Sequence, residues 1–338
     1  MSKALGRAVR PTSPGPEAQK LIDAGIDPTF GQVLAEKGGA LAKAVSRAEE
    51  GLGSVPFAGA PIRKARERAM EQFQRATREA ALPPGAGSES AQSVDKLADA
   101  FTTAYESIVK GAAFREGLDP FARLSAEDLD GIIESMARSR PLTPAAVEKA
   151  KGAVSTVFDH LDAETMHTPE GAHHVEKRLK SLAFKYKASP DPDVREYGEL
   201  LHDVANQWKT AWRSALPEEA AATLKDIDAA YTRFVPVRRA AATGNVTDPD
   251  AYTPKRLLLA IRAGDKTPSK TNFVAGGLPQ QELAAAADKV LGNKVPDSGT
   301  TERALLGLGT AGIGTFVPHS LPPIAAMAAY GTRPVQNT

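Results

Sequence analysis

Cysteine is absent from the chain, and that absence removes disulfide staples, thiolate catalysis and cysteine-ligated zinc. It also leaves the protein chemically unchanged by passage between reducing and oxidising compartments. Aromatic residues are scarce, at 6%, so a core of large aromatic side chains is not expected. An excess of one charge is missing too. Lys and Arg number 42 against 41 Asp and Glu, and no global field draws the chain to nucleic acid. Period-two runs of β-branched residues are almost missing, which argues against strands. No fixed-period repeat marks a solenoid. The opening MSKALGRAVRPTSPGPEAQ has basic residues but no apolar run, so it does not read as a secretory signal.

What is there is a helix signal repeated in one idiom. Thr143-Pro144, Thr168-Pro169, Asp191-Pro192 and Thr253-Pro254 each place a capping side chain before a proline at the first helical position. The cap satisfies an orphan N–H, and proline has none to lose there. Apolar residues at three-four spacing follow. After Thr143 come Val147, Ala150, Val154, Val157, Phe158 and Leu161. After Thr168 come Val175, Leu179, Leu182, Ala183 and Tyr186. After Asp191 come Tyr197, Leu200, Leu201, Val204, Trp208 and Trp212. Each series lies along one helix face. The expected fold is all-α: an elongated multi-helix array with a flexible N-terminal tail and an apolar, Gly/Pro-rich C-terminal segment.

Composition breaks place the boundaries. Residues 1–20 read as a disordered tail, and 21–82 as short helices cut by glycines and ending in a basic helix. PPGAGSESAQS at 83–93 reads as a linker. Residues 94–243 form a helical body, 244–303 hold short helices and a PDSGT hinge, and 304–338 form an apolar tail.

Candidate chemistry is sparse. His160, His167, His173 and His174 lie near several carboxylates, but no pair has the i, i+4 spacing of a zinc-binding helix with a glutamate between. A solvated turn between helices is the expected setting. GLGTAGIG at 307–314 has no strand before it and no acidic ribose ligand after it. No G-x-S-x-G elbow occurs. Muramidase-like chemistry needs a glutamate in an apolar pocket, whereas the glutamates here read as lying on polar faces among Lys and Arg. No catalytic residue, metal or cofactor is expected. Trp208 and Trp212 read as bundle core, with Tyr231 and Phe234 on an opposing helix.

Two segments stand out. PIRKARERAMEQFQRATR at 61–78 supplies Arg63, Lys64, Arg66, Arg68, Arg75 and Arg78 as candidate contacts for DNA or lipid phosphates. Residues 304–330 carry no Asp, Glu, Lys or Arg. Pro318, Pro322 and Pro323 cut them into pieces shorter than the ~20 residues of a spanning helix. Glycines at 307, 309, 312 and 314 weaken the first piece as an isolated helix but permit close helix approach. Leu305, Leu306, Leu308, Ile313, Phe316, Val317, Leu321, Ile324 and Tyr330 are the candidate membrane or oligomer contacts.

Several strings resemble a pattern in internal virion proteins of short-tailed bacteriophages. They are IDAAYTRFVPVRRAA at 227–241, TPKRLLLAI at 253–261 and QQELAAAADKVLGNKVPDSGTTER at 280–303, with PDSGTTER the most distinctive. The order running from DPTFGQVLAEKGGA to PIRKARERAMEQFQRA at 27–76 is similar to the same pattern. The resemblance covers most of the chain beyond residue 20, although 94–190 match in helical character only. It implies packaging in the capsid, ejection with the genome and a conduit across the host envelope. Implied partners are further copies in a ring, other ejection proteins, portal or tail proteins, phage DNA bound non-specifically, and the host membrane after ejection. It carries no catalytic residues. The alternatives are a packaged peptidoglycan hydrolase and a secreted pore-forming effector.

Overall fold

The computed structural model describes residues 14–38, 45, 60–124, 126–138, 142–162, 164–243 and 250–292. The chain divides into two units, residues 1–295 and 296–338, and every described residue belongs to the first. The chain is mostly helical, with no strand among the described residues. In order, the α-helices are α1 (Pro16–Asp23), α2 (Phe30–Glu36), α3 (Ala60–Glu79), α4 (Val94–Gly111), α5 (Pro120–Arg123), α6 (Ala126–Arg138), α7 (Pro144–Asp159), α8 (Pro169–Lys187), α9 (Pro192–Ser214), α10 (Glu218–Ala242), α11 (Pro254–Gly264), α12 (Thr271–Val274) and α13 (Gln281–Val290). Short 3-10 turns cover Ser88–Gln92 and Pro268–Lys270.

The cap-plus-proline idiom forms as the chemistry requires. Thr143, Thr168 and Thr253 accept from the backbone N–H three residues on, and Asp191 accepts from Asp193 N. Asp119-Pro120 repeats the device at α5, where Asp119 accepts from Phe121 N at 2.9 Å. α1 uses a different cap. Gly15 has no side chain to offer, and Glu36 at the end of α2 supplies the carboxylate, accepting from Glu17 N at 2.8 Å and Ala18 N at 2.9 Å. A Cβ on Gly15 would fall 2.4 Å from that carboxyl, so the bare backbone makes room for the borrowed cap. The helix therefore begins at Pro16, inside the stretch expected to be a disordered tail. Ala18 and Leu21 are fully buried, and their burial offsets the entropy of ordering a chain end.

α8 and α9 form an antiparallel hairpin. At one end Gly198 lets the backbones meet. A Cβ there would sit 2.5 Å from Lys187 N, 2.8 Å from Tyr186 C and 3.0 Å from Ala183 O. At the other end Trp208 and Trp212, both fully buried, donate their indole N–H groups back to α8. Trp208 Nε1 reaches Ala172 O at 2.8 Å and Trp212 Nε1 reaches Glu176 Oε2 at 2.9 Å. Phe121 and Phe158 close edge-on against Trp208 at 5.1 Å each. Tyr231 and Phe234 do not face the tryptophans. They pack on Phe101 of α4, each with its centroid 5.2 Å away.

The two ends of the described chain pack together. α13 lies on α1, α2 and α11, and α10 packs on both α4 and α11. Lys289 pairs with Glu17 at 2.6 Å and Lys20 with Glu282 at 2.7 Å, while Gln32 Nε2 donates to Leu291 O at 3.3 Å. Tyr252 is fully buried against Phe73. Its hydroxyl lies 2.5 Å from Thr77 Oγ1 and donates to Gln74 O at 3.0 Å, and Gln74 Nε2 donates to Tyr252 O at 3.0 Å. Burial pushes the phenol up to about 12. Residues 83–93 are not a free linker. Ala91 is buried, Arg78 Nε donates to Ala91 O at 2.7 Å, and Val94 N donates to Asp250 Oδ1 at 2.6 Å. Asp250 and Tyr252 thus hold the start of the chain entering α11. The 293–303 hinge and the 304–338 tail lie outside the described residues.

The α8–α9 contact yields a paired prediction. Gly198→Ala forces backbone apart and should lower stability by about 1–3 kcal/mol. Gly152→Ala, in α7 with nothing within 4 Å of its added Cβ, should raise it by roughly 0.5–1 kcal/mol. Urea unfolding of the two variants checks both signs.

Candidate functional site

α3 has an apolar face of Ala69, Met70 and Phe73, all buried, and the six candidate basic residues distribute around it. They do not share one face. Lys64, Arg68 and Arg75 are exposed at i, i+4 and i+11, on one outward stripe with Glu71 and Glu79, and Arg75 Nε is held by Glu79 at 2.8 Å. Arg63 and Arg66 are half-buried, and Arg66 stands one turn before Ala69 and Met70 on the inward side. Arg78 is buried at 7% exposure and holds the Ala91 carbonyl. Arg78 therefore leaves the phosphate-contact set. A guanidinium taken from water needs protein acceptors, and this one is a structural clamp. Lys64 and Arg68 are the members with exposed ammonium and guanidinium groups and no carboxylate between them in the stripe.

A second polar assembly forms where α4, α8, α9 and α10 meet. Asp228 of α10 accepts from Lys209 Nζ at 2.6 Å, Arg213 Nη1 at 2.7 Å and the Tyr105 hydroxyl. Burial alone would raise its carboxyl pKa, but hydrogen bonds from Lys209, Tyr105 and Arg213 outweigh that and hold it below the usual range. The Tyr105 phenol is pushed well above its ordinary value, by burial first and then by the neighbouring Asp228. The Tyr105 ring stacks on His173 at 5.7 Å, and His173 meets Trp212 edge-on at 6.1 Å. Arg213 lies over the Trp212 ring at 5.3 Å. Glu176, only 4% exposed, takes the Trp212 N–H on one oxygen and Lys180 on the other.

These positions correct two expectations. Glu176 lies on the apolar face of α8 with Ala172, Leu179 and Ala183, not on a polar one. Both its oxygens are engaged at a helix interface, whereas a general acid must meet substrate in an open cleft. His173 is not in a solvated turn. It is half-buried on α8, its Nδ1 has no hydrogen-bond partner, and burial holds its imidazole below the ordinary value. His160, His167 and His174 are exposed. His167 Nδ1 meets Asp119 Oδ2 at 2.5 Å, in a left-handed turn at φ 70°. No three His, Asp or Glu converge as a metal site among the described residues. The signal for Glu176 was present as a carboxylate at i+4 from Ala172 and i−3 from Leu179. No family model, curated protein or solved structure matches the chain.

Two measurements follow. Arg78→Met removes the donor to Ala91 O and should cost about 1–3 kcal/mol, read as a lowered denaturation midpoint. For His173, the imidazole binds a proton more readily unfolded than folded. Its contribution is therefore fully present above the unfolded pKa near 6.5 and is lost as pH falls from there toward its depressed folded value. Glu176 opposes this shift, while Arg213, Lys177 and Lys180 reinforce it. Stability measured downward from pH 7 should fall more steeply in the parent than in His173→Leu.

Proposed function

We propose that this chain is an internal virion protein of a short-tailed bacteriophage, ejected with the genome and contributing to an oligomeric conduit across the host envelope. The observation that carries the reading is a coincidence of sequence and packing. The strings that resemble such proteins, 27–76 with 227–241, 253–261 and 280–303, hold helices that meet across the chain: α2 on α13 and α3 on α10. Tyr252, between two resembling strings, is hydrogen-bonded to Thr77 and Gln74 of α3. A pattern shared in sequence would then be a shared interface.

The physical features support it. Passage through a narrow tail favours helices that separate into an elongated array and reform, and it suits a chain with no disulfide to reduce. The ends are tied by apolar packing, with Ala18 and Leu21 in one core with Ala284, Ala287 and Val290, by a few buried polar groups, and by surface ion pairs that contribute little, about 0–1 kcal/mol each. Among the described residues no helix is long and apolar enough to cross a membrane. In this reading the lipid or oligomer contacts come from 304–338. The chain acts as a structural element and not as an enzyme. Its partners are copies of itself in a ring, other ejection, portal or tail proteins, phage DNA and, after ejection, the host membrane.

The chain should be present in intact particles and depleted from particles triggered to release DNA, as measured by quantitative mass spectrometry of both. Equal amounts before and after release would overturn ejection, and absence from intact particles would overturn the virion assignment. For the DNA contact, Lys64→Gln with Arg68→Gln should reduce the salt slope of non-specific duplex binding by about 2 while leaving the thermal midpoint unchanged.

A further inference from the structure

We infer that the outward face of α8 is a docking surface for an anionic lipid bilayer. This stands without the virion reading, because it rests on one helix and its charges. The inward face of α8 is occupied by α9, α4 and α7. On the opposite side Lys177, Arg178, Ser181, Phe184 and Lys185 are all exposed, at the three-four spacings that make one stripe. Phe184 is 79% exposed. The only carboxylate on α8 beyond Glu170 is Glu176, which is buried and bound to Lys180 and Trp212. The outward stripe from Lys177 to the helix end therefore carries cations and one aromatic ring, with no acid.

Single exposed apolar side chains are common and need no partner. What sets Phe184 apart is its ring of cations. An anionic bilayer accepts such a pattern. A phenylalanine enters the headgroup boundary while Lys and Arg on the same face reach the lipid phosphates. The face is the convex side of a helix, which matches a flat surface. A single-stranded nucleic acid is held instead in a basic groove, with bases stacked on aromatic platforms. Charge complementarity and shape together choose the bilayer.

The test uses the full chain and co-sedimentation with vesicles of mixed phosphatidylethanolamine and phosphatidylglycerol, against phosphatidylcholine vesicles. Binding should require the anionic lipid and weaken as salt rises. Lys177→Gln, Arg178→Gln and Lys185→Gln should each weaken it about fivefold, and Phe184→Ser roughly tenfold. Phe184→Trp should retain binding, with emission that shifts to the blue on vesicle addition, because Trp208 and Trp212 are already buried. All five side chains are exposed, so unchanged circular dichroism and thermal midpoint confirm folding. Binding that persists in the α8 variants places membrane contact elsewhere, in residues 304–338 or on α3, and overturns the inference. So does loss of polynucleotide binding in these variants with vesicle binding unchanged.

Discussion

The Tyr252 hydroxyl lies where the beginning and the end of the described chain meet. It sits between Thr77 Oγ1 and Gln74 O, inside a core that also holds Phe73. A buried phenol must find partners or leave the core, so the position of α3 and that of the chain entering α11 are mutually determined. α1 and α2 depend on this arrangement in turn. α1 is 8 residues long and α2 is 7, too short to hold helix alone in water. They are ordered by α13 and by the carboxylate of Glu36.

α10 connects this closure to the α8–α9 hairpin. Tyr231 and Phe234 bind Phe101, Asp228 gathers Lys209, Arg213 and Tyr105, and the helix also packs on α11. Pro236 lies inside it and lacks the N–H that would bond back to Thr232 O. Most polar groups around Asp228 and Glu176 are matched donor to acceptor, with the His173 Nδ1 and the Arg213 Nε as exceptions. Such matching specifies which helix faces meet. It also places the carboxylates and tryptophans in close company at a helix interface.

The parts of the fold legible in sequence are those set by neighbours a few residues apart. The caps at Thr143, Thr168, Asp191 and Thr253 needed only a side chain and a following proline, and the Trp208/Trp212 stripe needed only helical spacing. The misread parts depend on residues far away in the chain. Residues 16–20 are helical because Glu36 caps them and α13 covers them. Residues 83–93 are held because Arg78 reaches Ala91 and Asp250 caps the chain just beyond, at Val94 N. The basic character of α3 was plain, but the division of its cations between surface and core was set by partners that periodicity does not name. Glu176 was discounted by its charged company, although its place on an apolar stripe could have revealed it.

The central claim is that α1, α2, α3, α11 and α13 form one cooperative unit through the buried Tyr252 hydroxyl. The most direct measurement is hydrogen exchange by mass spectrometry on the parent chain and Tyr252→Phe. Loss of the hydroxyl should speed exchange together in α1, α3, α11 and α13, and leave the slow amides of α8 and α9 protected. Faster exchange confined to the residues flanking position 252 would contradict the account, because the ends would then be held independently of that contact.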